Sequence, residues 1–207
     1  MIEALAGTGL AAAAGLNAYI PLLALGLLGR FTDIVSLPSG WSWLENPWVL
    51  GVFGALLLLE VVADKIPAVD HLNDLAQTLV RPAAGGIVFG SGTAAETPAV
   101  SDPGAFFSGS WVPIATGVVV ALVVHLIKAA VRAAANAAFA GVGAPVLSTA
   151  EDGLSVILVA AAILFPILVL VALAGAVVLV VLLIRRWRRR AAGRHPSMGV
   201  ASSTPGT

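Results

Sequence analysis

The sequence predicts an all-α fold, a polytopic transmembrane helical bundle of four or five spans. Three observations carry that expectation. Of the 207 residues, 59% are hydrophobic and only 11% are charged, and the mean hydropathy is +1.00, far from the balance of an ordinary soluble domain. Several apolar runs approach the ~20 residues a helix needs to cross the hydrocarbon at about 1.5 Å per residue. The tryptophans Trp41, Trp43, Trp48, Trp111 and Trp187 all fall at the edges of those runs, where interfacial anchors belong.

Residues 4–29 make the first run. An acid, Glu3, stands where a signal peptide carries basic residues, so this run is read as a retained first span. Asn17 and Tyr19 sit in its middle beside Pro21, and an amide at that depth needs a partner. "RFTDIVSLPSGWSWLENP" is a wet connection to the second run, residues 48–63.

Residues 68–90 are long enough to cross but carry Asp70, His71, Asn73, Asp74 and Arg81. Facing lipid, such a helix would not insert. It either crosses with its polar face against the bundle, giving five spans, or dips in and returns at "PAAGG", leaving four. After the Pro- and Gly-rich loop 91–110 comes the run 111–127, with a continuation to 139. The last run, 153–184, exceeds one straight crossing and must tilt, protrude or bend at Pro166, because no polar turn is present for a hairpin. "PAAGG" and "GVGAP" are candidate points for broken or re-entrant helices. An internal repeat is suggested by "GALLLLEVVADKIPAV" against "GVVVALVVHLIKAAV", and by two runs that open on Gly-Leu and reach a proline about 12 residues on.

The formal net charge is zero, yet Arg185, Arg186, Arg188, Arg189, Arg190 and Arg194 cluster after the last run. That asymmetry places the C-terminus in the cytoplasm, at the cell membrane. It divides the chain into a transmembrane domain, 1–184, and a basic, then Ser/Pro-rich tail, 185–207, expected to be disordered. The arginines suit anionic lipid headgroups better than nucleic acid. Cysteine is absent, the three histidines are scattered, and no phosphate loop, heme pair or nucleotide motif occurs, so neither a metal site nor a cofactor is expected.

The charges inside the apolar runs fall into stripes. Asp70, Asp74, Gln77 and Arg81 share one helical face, Glu60 and Asp64 form a similar pair one turn apart, and His125, Lys128, Arg132 and Asn136 share a face on a later helix. Lys65 joins the acidic side, and Glu151 with Asp152 stands where the last helix should begin, with Ser148 and Glu151 spaced as a capping box. A carboxylate in hydrocarbon costs at least ~2.5–3.5 kcal/mol, so these groups should face each other or a polar cavity. Asp64 or Asp70 is expected within reach of Lys128 or Arg132.

"GLNAYIPLLALGLL", "LEVVADKIPAVDHLNDLAQTLVRPAAG", "HLIKAAVRAAANA" and "STAEDGLSVILVAAAILFP" together resemble a bacterial multi-pass membrane family, domain of unknown function forty-one twenty-six. The resemblance covers residues 9–184 and implies a fold and a membrane address without an activity. It singles out Asp64, Lys65, Pro67, Asp70, Arg81, Pro82, Lys128, Arg132, Glu151 and Asp152.

The functional expectation is a small transporter or channel-like protein. An ion, proton or small polar solute would pass a cavity lined by Asn17, Tyr19, Glu60, Asp64, Lys65, Asp70, His71, Asp74, Arg81, His125, Lys128, Arg132, Asn136, Glu151 and Asp152. Its partners would be membrane lipids and that solute, with a homo-oligomer compatible. One alternative is an enzyme acting on a lipid phosphate, with Arg81, His125, Lys128 and Arg132 as an anion clamp, although the Lys–Arg-Pro spacing and Pro-Ser-Gly-His of membrane lipid phosphatases are not matched. The other is a structural scaffold.

Overall fold

A computed structural model of the chain describes residues 1–64, 66–98, 100, 111–139 and 144–192, with 67–72, 136–139, 144, 176–177, 179–180, 183–184 and 186–192 described by their backbone alone. The described residues form seven α-helices: α1 (Ile2–Leu16), α2 (Tyr19–Phe31), α3 (Pro47–Ala63), α4 (Pro67–Ala94), α5 (Val112–Phe139), α6 (Ala144–Leu164) and α7 (Pro166–Ala192). Extended structure among them is limited to two isolated bridges, Ser36 with Glu96 and Thr97 with Val100. Residues 1–170 form one compact unit, and 171–207 form a second whose described part continues α7 as helix through Ala192. The tail beyond Ala192 lies outside the described residues.

The first apolar run is not one helix. In a continuous helix Pro21 would press its ring on the carbonyl of Asn17 and leave that carbonyl without a donor, and the chain breaks there, with Asn17 in an extended conformation, φ −144° and ψ 120°. The Asn17 side chain then starts the next helix, accepting from the Tyr19 and Ile20 amides at 3.1 and 3.2 Å. Gly7 lies against Thr93 and Phe89 near the end of α4, while Ser36, just after α2, pairs with Glu96. Both outer ends of the α1–α2 pair therefore lie at the C-terminal end of α4, and the run expected to span once is a helical hairpin with its tip at Asn17.

Around this hairpin α1 is the central element. It is buried from Ala6 to Leu16 apart from Thr8, because alanine and glycine let neighbouring backbones approach on several sides. Gly7 faces α4, Gly15 faces Ala121 and Val124 of α5, and Gly9 faces Ala162 of α6. These registers make α1 antiparallel to α4 and α6 and parallel to α5.

The ambiguous polar segment is the middle of a single helix. α4 runs uninterrupted through Pro82, so no re-entrance occurs at "PAAGG". The glycines serve close packing instead: a Cβ on Gly117 of α5 would collide with the Gly85 carbonyl, and one on Gly86 would sit 2.9 Å from Val118 Cγ2. α6 starts at Ala144 rather than at 153. Ser148 and Glu151 are thus interior helix positions, and the expected capping box is replaced by tertiary contacts.

At Pro166 the helical run is interrupted at the single residue Phe165. One side-chain position on Gly9 would lie 2.9 Å from Ala162 Cβ and 2.7 Å from Val169 Cγ2. Seven residues of straight helix would separate those two by roughly 10 Å, so the axis bends between them.

α5 and α6 contain stretches long and apolar enough to cross a membrane, Val112–Ala135 and Pro145–Leu164. The polarity of the bundle is inverted: on α3, Leu58 and Leu59 are 68% and 63% exposed while Glu60 is 2% exposed.

Candidate functional site

The charged stripes meet in one layer, where the tip of the α1–α2 hairpin touches the end of α3, the first half of α4, the middle of α5 and the early turns of α6. Three carboxylates, Glu60, Asp64 and Glu151, and three cations, Arg81, Lys128 and Arg132, are all buried there. Burial at this density is tolerable only because every charge has an opposite partner.

The layer has two halves. In the first, Arg81 Nη2 donates to Glu60 Oε1 at 2.8 Å, and its Nη1 lies 3.0 Å from His125 Nδ1 and 3.9 Å from Asp74 Oδ1. Guanidinium only donates, so His125 Nδ1 must be the bare, accepting nitrogen. His125 Nε2 then carries the proton and donates to Thr78 Oγ1 at 3.1 Å, and Thr78 passes its own hydrogen to the Asp74 carbonyl at 2.9 Å. The Tyr19 hydroxyl faces Gln77, with Glu60 and Arg81 close by.

In the second half Glu151 Oε2 accepts from Arg132 at 2.5 Å and lies 3.1 Å from Lys128 Nζ. Asp64 Oδ2 is 3.3 Å from Arg132 and 3.9 Å from Lys128, and Asn73 donates to its other oxygen at 2.8 Å. Each cation thus reaches two carboxylates, one just past the end of α3 and one on α6.

The helix break is wired into this second half. Lys128 Nζ donates to the Leu16 carbonyl at 2.7 Å, placing an ammonium on the negative end of the α1 dipole. Ser155 donates to the Ala13 carbonyl at 3.1 Å, and Asn17 Nδ2 donates to Asp152 at 2.9 Å. The Leu16 carbonyl and the Tyr19 and Ile20 amides that the break exposes are thus met by the side chains of Lys128 and Asn17, while Ser155 and Asp152 of α6 tie the break to that helix. The two clefts described are apolar and lie elsewhere. The larger, about 460 Å³, runs between α2, α3 and α6 past Leu23, Leu57 and Ile163.

Of the residues singled out from sequence, Asn17, Tyr19, Glu60, Asp64, Asp74, Arg81, His125, Lys128, Arg132, Glu151 and Asp152 come together here. Lys65 and the side chains of Asp70, His71 and Asn136 lie outside the described residues. Asn73, Gln77, Thr78, Ser148 and Ser155 complete the network without having been named as site residues. Asn73 and Gln77 were visible on the polar segment, whereas Ser155 had no signal, since one serine in an apolar run commonly bonds its own helix. Among the described residues no group of three or more His, Asp and Glu side chains is arranged to hold a metal ion.

A family model described as Domain of unknown function (DUF4126) matches residues 4–186. The chain belongs to this family. The match takes in α1 through most of α7, so the whole charged layer lies inside the DUF4126 region and only the end of the basic segment and the tail fall beyond it. No curated protein and no solved structure matches the chain.

Proposed function

We propose that the chain is an integral protein of the cell membrane that moves an ion, a proton or a small polar solute through the charged layer, with its C-terminus in the cytoplasm. The observation that carries this reading is the break in the α1–α2 hairpin at the level of the buried charges. A chain surrounded by lipid gains nothing from ending helices in its interior, since each end exposes polar backbone. Transporters use such ends to bind and release charge near the middle of the membrane. Exposed leucines around buried acids support the membrane setting, because this arrangement would be costly in water and is natural in lipid.

The layer as described is closed, and passage requires its ion pairs to exchange. The sharing of Lys128 and Arg132 between Asp64 and Glu151 supports exchange, since a cation already reaching two carboxylates can transfer between them without becoming unpaired. An anion clamp for a lipid phosphate gains less support, because Arg81, Lys128 and Arg132 are each engaged with a buried carboxylate. The balance of three buried cations against three buried carboxylates favours a second reading, a structural lock that fixes helix packing.

The test is purified protein in sealed vesicles, comparing wild type with Arg132→Gln for flux of protons, alkali cations and small polar solutes. Transport predicts flux in wild type and a loss of at least tenfold in the variant. Folded wild-type protein that moves nothing across a broad panel would favour the lock.

A further inference from the structure

The two halves of the layer distribute their charges differently. Among the described residues, Asp64 and Glu151 are each within reach of both Lys128 and Arg132, and the further carboxylate there, Asp152, accepts a hydrogen bond from Asn17. Glu60 and Asp74, in contrast, share the single cation Arg81, with His125 held neutral by the bond it accepts from that guanidinium. Among the described residues this half therefore carries one uncompensated negative charge.

Its hydrogen bonding is unbalanced in the same sense. Glu60 Oε2, Asp74 Oδ1 and Gln77 Oε1 are buried and accept no hydrogen bond, while a single donor there, Arg81 Nε, is unused. Glu60 and Gln77 are only 2% and 3% exposed, so bulk water does not satisfy them. A buried acceptor without a donor is destabilising, and three within one turn of α4 and its α3 neighbour call for an occupant. Asp74, Gln77 and Arg81 line one face of α4, Glu60 approaches from α3, and the Tyr19 hydroxyl faces Gln77 from the tip of the hairpin. Asp74, at 21% side-chain exposure, gives this group its opening.

We propose that Glu60, Asp74, Gln77 and Tyr19 bind one small monovalent cation, of alkali-metal or ammonium type, between α2, α3 and α4. Excess oxygen acceptors select a cation, and one residual charge fits a monovalent ion rather than a divalent one, which would need more carboxylates than remain after Arg81 has taken its share. The site deepens the transport reading and rests on it by supplying the ion that moves or couples. Arg81 then acts as a positioning residue: it fixes Glu60 through Oε1 and leaves Oε2 for the ion.

The experiment measures thermal unfolding of the purified full-length protein in lipid nanodiscs, in sodium, potassium, ammonium or choline chloride at equal ionic strength. One of the small cations should raise the midpoint saturably over choline, by roughly 3–5 °C at ten times its dissociation constant. Gln77→Leu removes an acceptor without unpairing any charge, so it should fold in choline as well as wild type and lose the cation-specific rise; Glu60→Gln should lose it too if it folds. Equal midpoints in all four salts would overturn the site. So would a midpoint that follows pH alone, since the missing positive charge would then be a proton. A cation effect without vesicle flux would leave the site standing and sink transport, whereas flux without any cation effect would do the reverse.

Discussion

Arg81 is the residue whose loss should be felt most, because it is fully buried and holds Glu60, His125 and Asp74 together. Replacing it by methionine keeps the stem and strands the Glu60 carboxylate, a change that costs about 3–5 kcal/mol when one partner of a buried pair is removed. Unfolding of Arg81→Met should show that loss, and adding Glu60→Leu should recover a large part of it. If the two substitutions are simply additive, the pair is not coupled. Asn17→Ala should cost about 1 kcal/mol through the lost cap of α2. Asn17→Asp keeps that cap but buries a second carboxylate against Asp152, so it should lower the unfolding midpoint by more than the alanine variant does. At this scale the sequence was informative about which residues gather, since charges in apolar runs must find one another. It was uninformative about which pairs with which: Glu60 and Arg81 are 21 residues apart, and nothing in their spacing says that Asp74, on Arg81's own face, would be the more distant partner.

Elements were legible in their existence more than in their ends. The runs at 48–63 and 111–139 correspond closely to α3 and α5. Length misled at 4–29, because counting apolar residues does not register that Pro21 forbids the bond to Asn17. It misled again at 68–90, where the glycines looked like breakers and are instead the place where α4 and α5 come closest. This gives a test by substitution. Gly117→Val places methyls against the Gly85 backbone and Phe89 and should destabilise by about 1–3 kcal/mol or prevent folding. Gly54→Ala on α3 meets nothing within 4 Å and should be neutral or slightly stabilising. Similar losses in both would mean that the two helices are not in close backbone contact.

For the whole molecule, inverted polarity ties fold to function. Apolar side chains face outward, acids and bases face inward, and a helix pair ends among them. The expectation of a membrane address rests on composition, and two helices are long and apolar enough to cross a membrane, whereas the hairpin could not be read from composition, because its ends are identified only by contacts with α4. A reporter fused after Thr207 should be active only on the cytoplasmic side; activity outside would invert the orientation argued from the arginine cluster.

The transport proposed here requires that the charged layer be reached from both sides of the membrane. The chain has no cysteine, so Ser155→Cys, a near-isosteric change at a fully buried position beside the helix break, gives a background-free probe. In sealed vesicles of known orientation, a membrane-impermeant thiol reagent should label it slowly from the inner face and also from the outer face. Protection from both faces in folded protein, with labelling only after denaturation, would contradict the account and leave a permanently closed lock.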